Sequence, residues 1–390
     1  MKRAIDALLS SAVEAGDVPG VAAMVTDRNG TRYEGAFGVR VLGEAAPMTA
    51  DTVGWIASMT KAITAAGAMQ LVERGALDLD RPAAELLPEL GRARVLEGFA
   101  EDGSPRTRPP KRPITLRHLL THTAGFGYEI WNAEIQRYLQ ATGLPGAGSC
   151  ELRSLEAPLL FDPGERWNYG INLEWTGRLI EAASGKKLGA YLAANLFAPL
   201  GMDSTGFRIT PSMRARLAKI HQRDARGALA PTERGERQDP EFERGGGGLY
   251  SSARDYLEFV RMILARGAGG RGRVLAPETV ELMARNHMGE TCVRMLRTAM
   301  PAVSNDAELF PGTPKSWGLS FQINEAPAPT GRAAGTLMWA GLANSYYWID
   351  VRRGIGGVFL TQVLPFADVK ALPLFYAFET AVYRALAVSE

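Results

Sequence analysis

A serine and a lysine three residues apart are the strongest chemical signal in the chain. They form the ends of the tetrapeptide Ser-Met-Thr-Lys at 58–61, where an extended stretch over 52–57 gives way to a helix predicted to end near Gly75. Residues three apart on a helix share a face, so the Ser58 hydroxyl and the Lys61 amine are expected to meet. Ser58 lies at the positive end of the helix dipole, and an amine whose pKa is lowered by desolvation takes a proton from such a hydroxyl. The spacing therefore predicts a serine nucleophile activated without histidine.

The same spacing occurs a second time, at Ser184 and Lys187. This copy follows a predicted helix over 173–183, and Gly185 is typical of a residue that ends a helix. We interpret the second copy as a helix cap without catalytic function. Because a short motif alone is a weak signal, the catalytic interpretation of Ser58 depends on supporting residues elsewhere in the chain.

Two further segments could support a reactive serine. Tyr169 follows the turn-forming sequence Asp-Pro-Gly at 162–164. It is either an aromatic packing residue or a phenol that shares its proton with a nearby serine or lysine and acts as a general base. The segment Trp-Ala-Gly at 339–341 ends a predicted strand. Its glycine permits the close backbone approach that an oxyanion-binding amide requires.

Other catalytic designs lack support. The Gly-x-Ser-x-Gly pattern of α/β hydrolases is absent from the sequence. His118 and His122 have the i, i+4 spacing of a metal pair, but no glutamate lies between them, so the metalloprotease pattern fails. We interpret these histidines as packing and capping residues at a helix end. We expect neither a metal nor an organic cofactor.

Composition narrows the class of protein. The 390 residues carry 44 Lys and Arg against 42 Asp and Glu, a net charge of +2 without long single-sign runs, so a nucleic-acid partner is not expected. Two cysteines do not make a disulfide framework. The N-terminus lacks an apolar signal-peptide core, and no apolar run is long enough to span a membrane. We therefore expect a cytoplasmic, enzyme-sized globular protein without a membrane partner.

Strand signals lie at both ends of the chain. A helix over 2–16 precedes two strands joined through Asn-Gly at 29–30, a strong hairpin signal. The C-terminal part predicts four strands and a final helix, at 318–323, 336–340, 345–351, 355–362 and 367–387. The middle is mostly helical with long Pro/Gly-rich connections, of which 98–113 is predicted to be an exposed loop.

This order of elements favours an α/β (α+β) fold with one antiparallel sheet closed by both termini. The sheet domain is predicted to comprise 1–57 and 245–390, with the N- and C-terminal helices covering one face. A mostly helical inserted domain is predicted at 58–244. The cleft between the two is the natural place for a site, and Ser58 lies at that junction.

The segments together resemble the serine β-lactamase and penicillin-recognising superfamily. Within it the chain is most similar to the family VIII carboxylesterases, relatives of class C β-lactamases, over about residues 5–380. Ser58 and Lys61 match Ser-x-x-Lys, and Tyr169 matches the tyrosine of the second motif, Tyr-x-Asn. The Trp-Ala-Gly at 339–341 falls where β-lactamases carry Lys-Thr-Gly. The segments at 119–125 and 246–251 also match in character.

The resemblance implies a mechanism and a set of site residues. Ser58 attacks an ester carbonyl, while Tyr169 and Lys61 share the role of general base. The backbone amides of Ser58 and Leu342 form the oxyanion hole, and water then releases the acyl group. The other predicted contacts to substrate, the first two as walls of the acyl pocket, are Phe126, Tyr128, Asn172, Trp339, Ala340 and Gly341.

Two departures from the family pattern bear on the substrate. The second motif reads Tyr-Gly-Ile, and whether Asn172, one residue beyond the usual place, replaces the family asparagine stays open. Trp339 replaces the lysine that helps β-lactamases bind the penicillin carboxylate, and an indole cannot do so. Losing a charge-assisted contact of about 1.5–3 kcal/mol weakens anionic substrates by roughly one to two decades. We therefore predict a serine carboxylesterase for neutral short-chain esters, with weak cephalosporin hydrolysis at most.

Three alternatives remain open. The same residues could serve an acyltransferase that passes the acyl group to an alcohol or amine. They could also serve an amidase or a true β-lactamase. The third alternative is a non-catalytic ligand-binding module, although a mere binder need not keep Ser58, Lys61 and Tyr169 together. The only partner expected is a small-molecule ester, and the sequence does not specify an oligomeric state.

Overall fold

The computed structural model describes residues 1–387 of the chain. Its α-helices are α1 (Lys2–Glu14), α2 (Thr60–Glu73), α3 (Leu116–Leu120), α4 (Ala133–Thr142), α5 (Asn172–Ser184), α6 (Leu188–Leu192), α7 (Ala198–Leu200), α8 (Pro211–Arg214), α9 (Ala253–Leu264), α10 (Pro277–Met283) and α11 (Ala371–Ala387). Its strands are β1 (Gly20–Asp27), β2 (Thr31–Gly38), β3 (Val53–Trp55), β4 (Val95–Phe99), β5 (Pro105–Arg108), β6 (His221–Arg223), β7 (Leu229–Pro231), β8 (Tyr250–Ser252), β9 (Ala268–Gly269), β10 (Gly272–Arg273), β11 (Lys315–Trp317), β12 (Gln322–Asn324), β13 (Leu337–Gly341), β14 (Ser345–Asp350), β15 (Ile355–Leu360) and β16 (Val363–Leu364).

The main sheet has seven antiparallel strands in the order β11-β12-β13-β14-β15-β1-β2. The hairpin predicted from Asn-Gly at 29–30 is β1–β2, and β1 pairs with β15 so that Ala22 faces Leu360. The two ends of the chain therefore close one sheet, as the sequence predicts.

The two faces of this sheet are covered by different helices. Side chains alternate along β14 because successive residues of a strand point to opposite faces. Tyr346 stacks on Phe375 of α11 with ring centroids 4.5 Å apart. The next residue, Tyr347, meets Tyr256 of α9 at 5.1 Å. Helix α1 packs on α11, so the terminal helices share one face and α9 covers the other.

Helix α2 is buried on every side. All residues from Thr60 to Leu71 are buried, and the helix packs against α5 and α6. The packing leaves little room, because a Cβ on Gly67 would lie 2.7 Å from the Leu192 side chain. A helix without a solvent face is typical of a protein interior. The element that carries Lys61 is therefore fixed from all directions.

A short strand pair holds the glycine run at 245–248 against the start of α2. Strand β3 pairs with β8. The Ile56 amide donates to the Leu249 carbonyl at 3.1 Å, and the Thr64 hydroxyl donates to the Gly245 carbonyl at 2.7 Å. Segments almost 200 residues apart in sequence are thus joined beside Ser58.

Two predicted segments differ in the structure. The predicted loop at 98–113 begins inside an antiparallel hairpin of β4 and β5, whose turn is stabilised by the Asp102 carboxylate accepting from the Ser104 amide at 2.9 Å. The predicted strand at 318–323 is instead mostly the turn between β11 and β12, where Ser320 has φ of +72°. This turn is buried and apolar, so its sequence reads like a strand.

The predicted division into a sheet domain and an inserted domain at 58–244 stays a prediction. Across residues 1–387, every helix is too short or too polar to cross a bilayer.

Candidate active site

The chain enters α2 through a tight turn that presents Ser58. Ala57 has φ of +42°, a left-handed conformation that costs a non-glycine residue on the order of 1–3 kcal/mol. A single 3₁₀ turn over Ala57–Met59 then leads into α2. Ser58 is partly exposed at this turn, whereas Ala57 and Met59 are buried. The turn therefore places the hydroxyl at the surface of a cleft and the rest of the segment in the core.

Lys61 lies behind the serine and is fully buried. Its Nζ is 3.2 Å from Ser58 Oγ, 3.1 Å from the Tyr128 hydroxyl and 2.6 Å from the Gly246 carbonyl oxygen. Burial lowers the pKa of Lys61 to about 7; the Glu174 carboxylate opposes this effect and the Arg244 guanidinium adds to it. At neutral pH a large fraction of Lys61 is therefore a neutral amine, able to accept the Ser58 proton.

Tyr169 is a second group in contact with Ser58. Trp339 Nε1 donates a hydrogen bond to its phenol oxygen at 2.9 Å, and Lys61 Nζ is 4.6 Å from its ring centroid. Burial raises the pKa of Tyr169, although hydrogen bonds from Ser58 and Trp339 to the phenol oxygen oppose the rise. Tyr169 is therefore a neutral phenol at pH 7, and Lys61 is the better proton acceptor of the two.

The end of β13 passes very close to the Ser58 turn. A Cβ on Gly341 would lie 2.3 Å from the Ile56 carbonyl oxygen, so only glycine fits there. This contact brings Leu342 to the wall of the cavity that Ser58 lines. Among the turn, loop and cap hydrogen bonds of residues 1–387, neither the Ser58 amide nor the Leu342 amide is a donor. Both amides are thus available for an oxyanion.

The cleft has a narrow part and a wide part. The narrow cavity, of about 10 Å³, is lined by uncharged residues only: Ser58, Trp131, Tyr169, Leu296, Trp339, Ala340, Leu342 and Phe366. A wider cavity of about 280 Å³ shares Leu342 as a wall, and its lining includes Trp55, Tyr128, Arg234, Glu236 and Arg244. The narrow cavity beside Ser58 has about the volume that one water molecule needs, so only the wide cavity beyond Leu342 has room for a larger group.

The structure does not bring every predicted residue to the serine. Asn172 is fully buried, and its Nδ2 lies 2.8 Å from His122 Nδ1, so the side-chain nitrogen is engaged with that histidine. Phe126 packs on Trp175 with ring centroids 6.1 Å apart and lines a separate cavity of about 590 Å³. Tyr128 contacts Lys61 and the wide cavity but is absent from the lining of the narrow one.

The two histidines behave as the sequence predicts for a helix end. His118 forms a capping box with Thr115 at the start of α3, and its Nδ1 accepts from the Thr115 amide at 3.2 Å. His122 is buried, and burial lowers its pKa well below the usual value.

Two charged residues behind Lys61, Glu174 and Arg244, are not among the predicted site residues. The Tyr128 hydroxyl donates to Glu174 Oε1 at 2.7 Å, and Glu174 is 1% exposed. Arg244 interacts electrostatically with this carboxylate and pairs with Glu236 at 3.3 Å. One signal was present in the sequence: Glu174 lies between Leu173 and Trp175, five residues after Tyr169. A charged residue in such an apolar run calls for a buried partner.

Comparison with known proteins agrees with the fold and with the geometry of the site. The sequence pattern of the family described as Beta-lactamase matches residues 5–380. The chain is 33% identical over 388 residues to monacolin J acid methylbutanoyltransferase of Aspergillus terreus, covering 95% of this chain and 93% of that enzyme. It is 32% identical over 399 residues to lovastatin esterase of Penicillium rubens, covering 97% and 98% of the two chains.

A solved structure with the same fold is the unliganded simvastatin synthase (LovD) from Aspergillus terreus. The TM-score is 0.84 at 32% identity, with 98% of this chain and 97% of that chain covered. Family pattern, relatives and fold therefore agree over nearly the whole length. The chain belongs to the beta-lactamase family, in the serine β-lactamase and penicillin-binding-protein-like superfamily, and its relatives include enzymes of acyl transfer and ester hydrolysis.

Proposed function

We propose that this protein is a serine carboxylesterase of the family VIII type that works through an acyl-enzyme on Ser58. The observation that carries the proposal is the contact between a partly exposed Ser58 and Lys61, a buried amine with a pKa of about 7 only 3.2 Å away. A lysine in this state is a general base suited to neutral pH, because catalytic bases work best when their pKa lies near the operating pH.

The proposed reaction has two balanced halves. Ser58 Oγ attacks the ester carbonyl while its proton passes to Lys61 Nζ, and the amides of Ser58 and Leu342 bind the oxyanion. The ester C–O bond then breaks, and the leaving alkoxide takes up that proton through the Tyr169 hydroxyl. Water attacks the acyl-enzyme in the same manner, giving the acid and free Ser58.

The uncharged surroundings of Ser58 and the small space beside it support neutral, short acyl groups. The lining of the narrow cavity holds no charged side chain to pair with a carboxylate. Lys315, a buried lysine on β11 two strands from β13, bonds Glu308 at 2.9 Å and the carbonyls of Phe310 and Thr313 at 3.0 and 2.9 Å, so its amine is already occupied. A penicillin-type carboxylate would thus be desolvated without a cation, and β-lactams should be poor substrates.

The wide cavity supports a larger alcohol portion. At about 280 Å³ it approaches the lower end of the volumes typical of small-molecule pockets, and it mixes apolar walls with charged groups such as Arg234 and Glu129. An ester of a short acid with a bulky alcohol fits this asymmetry.

Acyl transfer to an alcohol is a second candidate function. It is favoured by the wide cavity, which could hold an acceptor alcohol beside the acyl-enzyme. The relatives include one enzyme named for acyl transfer, a methylbutanoyltransferase, and one named for ester hydrolysis, a lovastatin esterase. Both functions share the acyl-enzyme, and the acceptor decides between them.

One assay tests both candidates. Purified wild type and Ser58→Ala are compared on p-nitrophenyl butyrate and nitrocefin, with and without a bulky secondary alcohol such as menthol. Rapid ester cleavage and slow nitrocefin turnover, both lost in the variant, would support the esterase. Menthyl butyrate exceeding butyric acid would favour the transferase. Nitrocefin turnover as fast as ester cleavage would overturn the proposal. So would the absence of any cleavage of p-nitrophenyl butyrate, with or without menthol.

A further inference from the structure

The Lys61 amine has three close partners, and their hydrogen-bonding roles are not equal. The Gly246 carbonyl oxygen, at 2.6 Å, is only an acceptor. The Tyr128 hydroxyl, at 3.1 Å, has a single hydrogen, and the Glu174 carboxylate takes it at 2.7 Å. Toward Lys61, Tyr128 is therefore an acceptor as well.

This count determines the direction of the lysine lone pair. A neutral amine has two hydrogens and one lone pair. Gly246 and Tyr128 use the two hydrogens, so the lone pair is left for the third partner, the Ser58 hydroxyl at 3.2 Å. We propose that Glu174, acting through Tyr128, is a positioning residue that aims the Lys61 lone pair at Ser58. The inference deepens the proposed function and rests on it.

The surroundings of Glu174 fit a carboxylate held in one place. The residue is 1% exposed, and its second oxygen, Oε2, has no hydrogen-bond partner among residues 1–387. A Cβ on Gly246 would lie 2.2 Å from Oε2, so the backbone that accepts from Lys61 packs directly on this carboxylate. Burying a carboxylate with an unpartnered oxygen is costly for stability, which is understandable where the group serves the site.

Without an acceptor at position 174 the arrangement changes. The Tyr128 hydrogen then has one acceptor left nearby, the lone pair of Lys61 itself. Tyr128 would become a donor to Lys61 and compete with Ser58 for that lone pair. The prediction is that removing Glu174 harms catalysis because Tyr128 is present, and that removing Tyr128 as well relieves part of the harm.

The charges that face Lys61 set the expected pH behaviour. Lys61 is faced by groups from four segments. Ser58 lies on its own segment, Tyr128 and His122 on the loop after α3, and Tyr169 and Glu174 in the α5 region. Arg244, paired with Glu236, lies on the segment before β8. Burial keeps His122 neutral and keeps both phenols protonated at neutral pH. Glu174 raises the pKa of Lys61 and Arg244 lowers it. Loss of Glu174 therefore lowers the pKa of Lys61, so that Lys61 becomes a base at a lower pH.

The test compares wild type with Glu174→Met, Tyr128→Phe and the double variant. The readout is the rate at which Ser58 is phosphorylated by diethyl p-nitrophenyl phosphate between pH 5 and 9, followed by release of p-nitrophenolate. The hydrolysis of p-nitrophenyl butyrate is measured in parallel. Glu181→Met, which removes another glutamate from α5 that does not contact Lys61, is the matched control.

We expect Glu174→Met to lower the plateau rate at least tenfold, to move the acidic limb down by about one pH unit, and to leave KM within about twofold. The double variant should react several-fold faster than Glu174→Met alone. A merely structural glutamate would give a double variant at least as slow as the single one and an unmoved limb, and either result overturns the proposal.

Two further outcomes are decisive. If Glu174→Met does not fold, judged by circular dichroism and thermal unfolding, Glu174→Gln keeps the side-chain shape and must show the same shift of the limb. If wild type is phosphorylated at Ser58 but does not cleave esters, the proposed function fails while the phosphorylation rates still decide the role of Glu174. A wild type that is not phosphorylated at all overturns both.

Discussion

The chain contains the Ser-x-x-Lys pattern twice, and the two copies lie at opposite ends of helices. Ser58 precedes the first turn of α2, and Lys61 on that helix is fully buried. Ser184 is the last residue of α5, and Lys187 is exposed. Gly185 follows Ser184 with φ of +67°, and the Ser184 hydroxyl accepts from the Lys186 amide at 3.3 Å. The second copy is a helix C-terminal cap, as its sequence predicts.

The difference shows that the surroundings of the motif, and not its four residues alone, distinguish Ser58 from Ser184. At Ser58 the helix dipole favours a negative oxygen, while at Ser184 it opposes one. Burial lowers the pKa of Lys61 to about 7, whereas nothing removes Lys187 from water. Tyr169 and Trp339 also lie beside Ser58, where the amides of Ser58 and Leu342 are the proposed oxyanion donors. Each of these contrasts can be tested with paired variants.

The largest effect is expected from the serines themselves. Ser58→Ala should lower kcat for p-nitrophenyl butyrate by on the order of 10⁴ or more, because no acyl-enzyme can form. Ser184→Ala should keep at least half of wild-type activity, since its loss affects only a helix end. Steady-state kinetics and mass spectrometry of the phosphorylated protein measure both. A label that persists on Ser58→Ala would refute the assignment.

The lysines should differ nearly as much. Lys61→Ala should cost on the order of 10²–10⁴ in kcat, the usual range for a general base, while Lys187→Ala should be neutral within twofold. The same kinetics apply, with circular dichroism to show that Lys61→Ala is folded. Equal losses in the two variants would mean that burial does not distinguish the copies.

Tyr169→Phe should have a smaller but clear effect. The phenol lies beside Ser58 but is not the best base, so a loss of about 10²-fold, toward the lower end of the general acid–base range, is expected. Substrates with good leaving groups should be affected less than alkyl esters, because the role proposed for Tyr169 is to protonate the leaving oxygen. Comparing p-nitrophenyl butyrate with ethyl butyrate measures this split, and an equal loss on both would remove that role.

The smallest effect is expected in the dependence of kcat/KM on pH, which reports the pKa of Lys61 directly. Lys61 acts as a base only when neutral, and its pKa is about 7, so kcat/KM should fall about tenfold per pH unit below that value and level off above it. The Lys187→Ala variant should show the same limb. A limb centred near the pKa of a free lysine would mean that Lys61 is not desolvated in solution.

The sequence predicts the parts of the site that depend on local spacing. Ser58 and Lys61 lie within one turn of chain, so their spacing alone predicts that they meet. Gly341 is needed because the end of β13 passes close to the Ile56 carbonyl, and a glycine at a predicted strand end indicates such a close approach. The β1–β2 hairpin is predicted in the same way, from Asn-Gly at 29–30.

Contacts between distant segments could not be predicted in this way. Tyr128 was assigned to the acyl pocket, but its place against Lys61 depends on how the irregular chain after α3 folds over α2. The apolar neighbours of Glu174, in the first turn of α5, indicate a buried charge but not its partner. Only the fold shows that its carboxylate meets Tyr128, 46 residues away in sequence. The hairpin of β4 and β5, which overlaps the predicted loop at 98–113, has two short strands of five and four residues, and most of their residues are half-buried or exposed, so they lack the alternating pattern of a longer half-buried strand.

The burial of α2 on all sides also sets the timescale on which Lys61 can be reached from solution. Amides in a helix without a solvent face exchange with deuterium only when much of the protein opens, so those from Ile63 to Leu71 should be among the slowest in the chain. An amine-directed reagent that leaves serine unmodified, such as formaldehyde with cyanoborohydride, should therefore modify surface lysines quickly and Lys61 only at the rate of global unfolding. Residual enzyme activity under such a reagent would then serve as a clock for the unfolding of the whole protein.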